Sequence, residues 1–182
     1  MNIFLTCFGV DTRHKENING YNEIINLLKE KKVVIIPNAR LINQNRESAI
    51  NINKELILNN INSKIVDIDK TTINLNDFDV IYFTGGEPKY LMDSIYNANL
   101  YNDIIKFIKD KKYKIGQSAG AMIFSKKYLD TSSGKLKILN NGFDISKKII
   151  VPHYNNLPST ILENIPKNII TINDFDKLIK LK

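Results

Sequence analysis

Tyr113-Lys114-Ile115-Gly116-Gln117-Ser118-Ala119-Gly120-Ala121-Met122-Ile123 is a short apolar approach that runs into Gly-Gln-Ser-Ala-Gly and continues at once in small or apolar residues. This is G-x-S-x-G in its required setting: a strand ending, a Ser on the bend and a helix starting. A Cβ at Gly116 or Gly120 would strike the strand or the new helix, so the bend is steric in origin. The turn would lift the Ser118 hydroxyl over the sheet edge. It would also aim the Ala119 amide, at a helix N-terminus, where negative charge develops in acyl transfer. Taken alone, the same residues also describe a tight strand-to-helix turn with a capping Ser.

Upstream of this stretch, apolar runs alternate with amphipathic ones. Ile3–Phe8, Val33–Ile36, Ser63–Ile68 and Asp79–Thr84 read as strands. Asn17–Lys31, Gln44–Asn60 and Lys89–Lys112 read as helices, the last with a break near Asn99. Strand runs of four to six apolar residues with little alternation suggest burial on both faces, as in a largely parallel sheet. The expected class is α/β, in layers. Downstream, Tyr128–Gly142 is polar and reads as loops or short edge strands. Ile149–Tyr154 reads as a strand, and Pro158 opens a helix to about Ile165. The runs Ile169–Ile172 and Leu178–Leu181, separated by Asn173-Asp174-Phe175-Asp176, read as a terminal hairpin.

The chain has 182 residues, which fits one domain over 1–182, and no linker or repeat divides it. A net charge of +7 raises nucleic-acid binding, but the Lys are scattered at helix ends without interleaved aromatics. A solvated Lys surface, with no nucleic-acid partner, is the expectation. Cys7 is alone in an apolar run, and with His14 and His153 the only histidines, the sequence offers no zinc pattern. The N-terminus lacks a basic signal-peptide region and no run reaches membrane-spanning length, so a cytoplasmic protein without a membrane partner is expected.

Three features should meet at the carboxyl ends of the strands, where open α/β sheets keep their sites. One is Ser118. The second is Gly85-Gly86 after Thr84, where backbone amides can approach a substrate unhindered; the Gly86 amide is expected to join that of Ala119 as an oxyanion hole. The third is His153, at a strand end. Imidazole accepts a Ser proton near neutral pH and returns it to a leaving amine. His14 lies in Arg13-His14-Lys15-Glu16, where positive neighbours would make a poor base, so His153 is the expected one.

Ile115–Ala121 resembles the nucleophile segment of the aspartyl dipeptidase (peptidase E) family, which also includes cyanophycinases. Tyr82-Phe83-Thr84-Gly85-Gly86 is similar to its glycine turn and Val151-Pro152-His153-Tyr154 to its Pro-His-aromatic motif. Gly142-Phe143-Asp144, the N-terminal strand and Ile35–Ala39 also match in type. The resemblance implies a flavodoxin-like three-layer sandwich of the class I glutamine amidotransferase type, with Ser in place of the usual Cys. It implies a cofactor-free serine peptidase with Ser118 as nucleophile, His153 as base and the Gly86 and Ala119 amides as oxyanion hole. Asp130 is the triad carboxylate by its place relative to the family pattern, with Asp144 as the rival acid. Gly85, Glu87 and Gln117 are expected to touch a small peptide or amide substrate, N-terminal Asp-X dipeptides being the specificity implied.

Two departures bear on that specificity. Glu87-Pro88-Lys89 stands where the family continues with Asn-Thr and an aromatic, and the segment after the base is reduced to Asn155-Asn156-Leu157-Pro158. Glu87 would repel an aspartyl side chain or hold an amine. An amidase or esterase of other specificity, and a non-catalytic binding relative on the same fold, remain open on the residues. So does a homodimer, because sequence does not give oligomeric state.

Overall fold

The computed structural model describes residues 1–13, 18–40, 46–130, 136–174 and 176–181. His14, the loop stretch Ser132–Gly134 and Phe175 lie outside the described residues. The first half consists of β1 (Asn2–Thr6), α1 (Ile18–Leu28), β2 (Lys32–Ile36), α2 (Glu47–Leu58), β3 (Asn62–Ile65) and β4 (Val80–Phe83). Next come α3 (Pro88–Asn97), α4 (Tyr101–Lys109), β5 (Tyr113–Gln117) and a single helical turn, α5 (Ala119–Met122). The remainder holds β6 (Tyr128–Asp130), β7 (Lys137–Leu139), β8 (Ile149–Pro152), α6 (Ser159–Leu162), β9 (Ile169–Ile172) and β10 (Ile179–Leu181).

The central sheet has the order β10-β1-β5-β4-β2-β3, parallel throughout except for β10, which runs antiparallel to β1. This is the α/β, flavodoxin-like sandwich expected from the sequence. Its strands lack alternation because both faces are covered. In β4 all four residues are buried: Ile81 and Phe83 face one core, Val80 and Tyr82 the other. The first core packs α3, α4 and α5 on one face, where the rings of Phe83, Phe124 and Phe143 lie with centroids about 6 Å apart. The second packs α1 and α2 on the other through Ile24, Leu28, Ile52 and Leu56.

Helix ends follow local chemistry. After α2, Asn60 takes φ 59° and lets the Ile61 amide reach back to the Leu56 carbonyl at 2.9 Å. Asn99, at φ 57°, does the same between α3 and α4, with the Leu100 amide on the Ile95 carbonyl at 3.0 Å. A short polar side chain tolerates this left-handed conformation, and the resulting hydrogen bonds close the helix. The break expected near Asn99 therefore lies there.

The expected terminal hairpin does not form. β9 pairs in parallel with β8, in the register Ile149↔Ile169 to Pro152↔Ile172, while β10 pairs with β1, Ile3 facing Leu181. Paired to each other, the two runs would leave the edge of β1 bare. Split between two sheets, they cover that edge and bury both Ile172 and Leu181. A smaller apolar cluster of Leu129, Ile149 and Val151 with Met122 seats the β8–β9 pair beside α5. Among the described residues, no helix is long and apolar enough to cross a membrane.

Candidate active site

β1, β5 and β4 are neighbours running in one direction, so their carboxyl ends converge. Ser118 leaves the end of β5 at φ 49°, ψ −112°, a strained bend held by its amide donating to the Thr6 carbonyl at 2.8 Å. The flanking glycines are there for contact reasons. A Cβ on Gly116 would lie 2.4 Å from the Gly120 carbonyl oxygen, and one on Gly120 would lie 2.3 Å from that of Phe83. The turn after β4 is equally tight. Gly86 has φ 142°, and a Cβ there would stand 2.3 Å from the Ala39 carbonyl oxygen.

His153 sits just past the end of β8 in left-handed conformation (φ 57°), its amide donating to Cys7 Sγ at 3.2 Å. From there its Nε2 lies 3.0 Å from Ser118 Oγ. Its Nδ1 meets Asp174 Oδ1, and Asn156 Nδ2 donates to the other oxygen of that carboxylate. The Asp174 amide donates in turn to Asn155 Oδ1 at 3.0 Å. With the imidazole proton on Nδ1 facing the carboxylate, Nε2 is free to accept from the Ser118 hydroxyl. Asp174 is 5% exposed, so its charge is held in a low-dielectric setting beside the ring.

Parallel pairing delivers this contact. Pro152 and Ile172 are register partners, so the two chains leave together, and His153, one residue on, meets Asp174, two residues on. Cys7, from the end of β1, fastens the pair. Its thiol donates to the Ile172 carbonyl at 3.4 Å and accepts from the His153 amide. Cys7, His153 and Asp174 offer donor atoms within 4.8 Å of one another, but burial pushes the Cys7 thiol up to about 12, which keeps it protonated. A neutral thiol is a poor metal ligand, and His153 Nδ1 is already committed to Asp174.

Beside Ser118 and His153 opens a cavity of about 170 Å³ whose walls include Met122, Leu129, Val151 and Leu157. Gly86, Glu87 and Pro88 complete its lining. Burial and the nearby Asp130 push the Glu87 carboxyl up, against a smaller downward pull from Arg40.

The model of peptidase family S51 matches residues 3–182. The chain belongs to peptidase family S51. Uncharacterized peptidases of Listeria monocytogenes and Listeria innocua are each 26% identical to it, over 93% and 99% of this chain and 84% and 87% of theirs. Among solved structures, a candidate peptidase E from Listeria monocytogenes EGD-e aligns with a TM-score of 0.72 at 24% identity, covering 100% of this chain and 98% of that one. A peptidase from an acI-B1 Actinobacterium aligns at 0.63 and 21%, over 98% and 84% of the two chains. As the sequence reading expected, membership of this family makes the chain a serine peptidase.

Within this S51 chain, Ser118, His153 and Gly86 meet, and Ala119 follows Ser118 directly, but two expectations need correction. The carboxylate on His153 is Asp174; Asp130 ends β6, which packs over α3, and lies on the Glu87 side of the cavity. Gln117 is 4% exposed and turned to the far face of the sheet, where it accepts from Tyr82 Oη at 3.0 Å, so it does not line the cavity. Gly85 lies against Ser118 itself, a Cβ there falling 3.2 Å from Ser118 Cβ. Asp144, the rival acid, pairs with Lys126 and Lys147 along a separate hollow of about 460 Å³. Asp174, Asn155 and Asn156 were missed. The available signal was a pair of similar apolar runs, Ile149–Pro152 and Ile169–Ile172, each followed at once by polar residues, as two parallel strands with matched ends would be.

Proposed function

We propose that this chain hydrolyses short peptides through an acyl-enzyme on Ser118. His153 Nε2 takes the hydroxyl proton as Ser118 Oγ attacks the carbonyl carbon, and Asp174 holds the ring and stabilises the imidazolium that forms. The carbonyl oxygen, now negative, is met by the Gly86 and Ala119 amides, neither of which has an acceptor among the described residues. Because α5 is one turn long, this stabilisation rests on the two N–H groups and not on a helix dipole. Removing one such donor typically costs about 2.7–4 kcal/mol of transition-state stabilisation. The imidazolium then protonates the leaving amine, and a water activated by the same nitrogen releases the acid.

The observation that carries this reading is the 3.0 Å approach of Nε2 to Oγ by a ring anchored on a buried carboxylate. The small cavity supports a substrate contributing one residue on the acyl side, hence a dipeptide or the end of a short peptide. The family resemblance would make that residue Asp. Peptide hydrolysis followed by mass spectrometry tests the chemistry. Wild type is expected to turn over short peptides, with Ser118→Ala and His153→Ala each reduced by at least about 10³-fold. Folded wild type without hydrolysis, or Ser118→Ala as active as wild type, would contradict it.

A further inference from the structure

The walls of the cavity bear on which peptide is taken, given the acyl-transfer reading of Ser118 on which this inference rests. We propose that the site recognises a free α-ammonium group at Glu87 and seats an uncharged, apolar first side chain, so that aspartyl peptides are poor substrates.

Glu87 directly follows Gly86, whose amide is the proposed oxyanion donor. The α-nitrogen of the acyl residue is two bonds from the carbon under attack, so with the carbonyl oxygen at Gly86 that nitrogen lies within reach of the adjoining wall, of which Glu87 is part. The backbone of Glu87 is fixed: its amide donates to the Ala39 carbonyl at 2.7 Å, and Pro88 follows as the first residue of α3. Its side chain makes no capping hydrogen bond to that helix. The carboxylate is thus half-buried beside Ser118 without a hydrogen-bond donor among the described residues. A carboxylate in that state is stabilised by an incoming cation and repels an incoming anion.

The remaining lining points the same way. Met122, Leu129, Val151, Leu157 and Ile161 present apolar surface, and no Lys or Arg lines the cavity among the described residues. An aspartyl side chain placed here would lose its hydration, find no cation in the walls, and stand within the field of Glu87 and Asp130. A Leu, Met or Ala side chain would gain by burial against these walls. Arg40 pulls the Glu87 carboxyl the other way from outside this lining, the smallest of the three influences on it.

The test compares Leu-Ala, N-acetyl-Leu-Ala and Asp-Ala as substrates of the full chain, with fluorophosphonate labelling of wild-type Ser118 measured on the same preparation. Expected is a kcat/KM for Leu-Ala at least about tenfold above either of the other two, about 1.4 kcal/mol in discrimination. Glu87→Gln, checked for folding by circular dichroism, should raise KM for Leu-Ala about tenfold and shrink the gap to the acetylated analogue. Labelled wild type that cleaves Asp-Ala or the acetylated peptide as well as Leu-Ala, or that cleaves none of the three, overturns the specificity alone. So does Glu87→Gln with an unaltered KM. Folded wild type that neither labels nor cleaves overturns the hydrolase reading together with it.

Discussion

At the scale of single residues, the site depends on how His153 is held. Its amide is tied to Cys7 Sγ, its Nδ1 to Asp174, and its ring stands 5.1 Å from that of Phe8. An orienting carboxylate selects the tautomer that can accept from Ser118 and stabilises the imidazolium formed on attack. Asp174→Asn keeps the shape but offers Nδ1 a donor or the wrong tautomer, and is expected to lower kcat by about 10²–10⁴-fold. Asn156→Ala removes one hydrogen bond from the same carboxylate and should cost far less. Steady-state kinetics on one peptide ranks them, and Asn156→Ala more damaging than Asp174→Asn would refute the assignment. Cys7 is a fastener in this arrangement, its thiol kept neutral by burial.

At the scale of elements, two pairs of parallel strands do the positioning. β5 and β4 bring Ser118 beside Gly86, and β8 and β9 bring His153 beside Asp174. The first pair was legible because its demands are local: close approach at Gly116, Gly120 and Gly86 admits no side chain, and that requirement is written in the motifs. Gly120→Ala should therefore destabilise by about 1–3 kcal/mol, because the new Cβ meets the Phe83 backbone at 2.3 Å and backbone cannot swing aside. The melting temperature should fall by about 2–4 °C for each kcal/mol, and an unchanged value would refute the contact. The second pair was not legible. Asn173–Asp176 has turn composition, and reading it as a hairpin turn hid that Ile169–Ile172 pairs with β8 and ends beside His153. Local turn chemistry was outweighed by burial of Ile172 and by the bare edge of β1, both long-range effects. Asp130 was assigned from its place in the family pattern, and the hairpin reading left Asp174, the carboxylate that meets His153, inside a supposed turn. Gln117 was misassigned for a related reason: alternation along β5 turns it away from Ser118, to Tyr82.

At the scale of the whole molecule, the two-faced core sets one pH dependence. Lys114 lies on β5 with no exposed surface, its ammonium donating to the Asp110 and Lys112 carbonyls at 2.7 Å each, and burial pulls it down from 10.5 to about 8. Below pH 8 both folded and unfolded chains carry this proton, and the cost of burying the charge is fully present. Between pH 8 and 10.5 the folded chain has released it while the unfolded chain still holds it, so this residue's contribution to stability rises with pH. In denaturant unfolding, the stability of wild type relative to Lys114→Met should climb across that window and level off above it. A difference independent of pH would show that the ammonium is solvated. The catalytic account is tested most directly by the rate at which a fluorophosphonate modifies the intact protein, followed by mass. Wild type should gain one adduct, mapped to Ser118, and Ser118→Ala none. Asp174→Asn should react at least about 10²-fold more slowly, and Asp130→Asn at close to the wild-type rate. Folded wild type that stays unmodified, or a rate abolished by Asp130→Asn and untouched by Asp174→Asn, would contradict it.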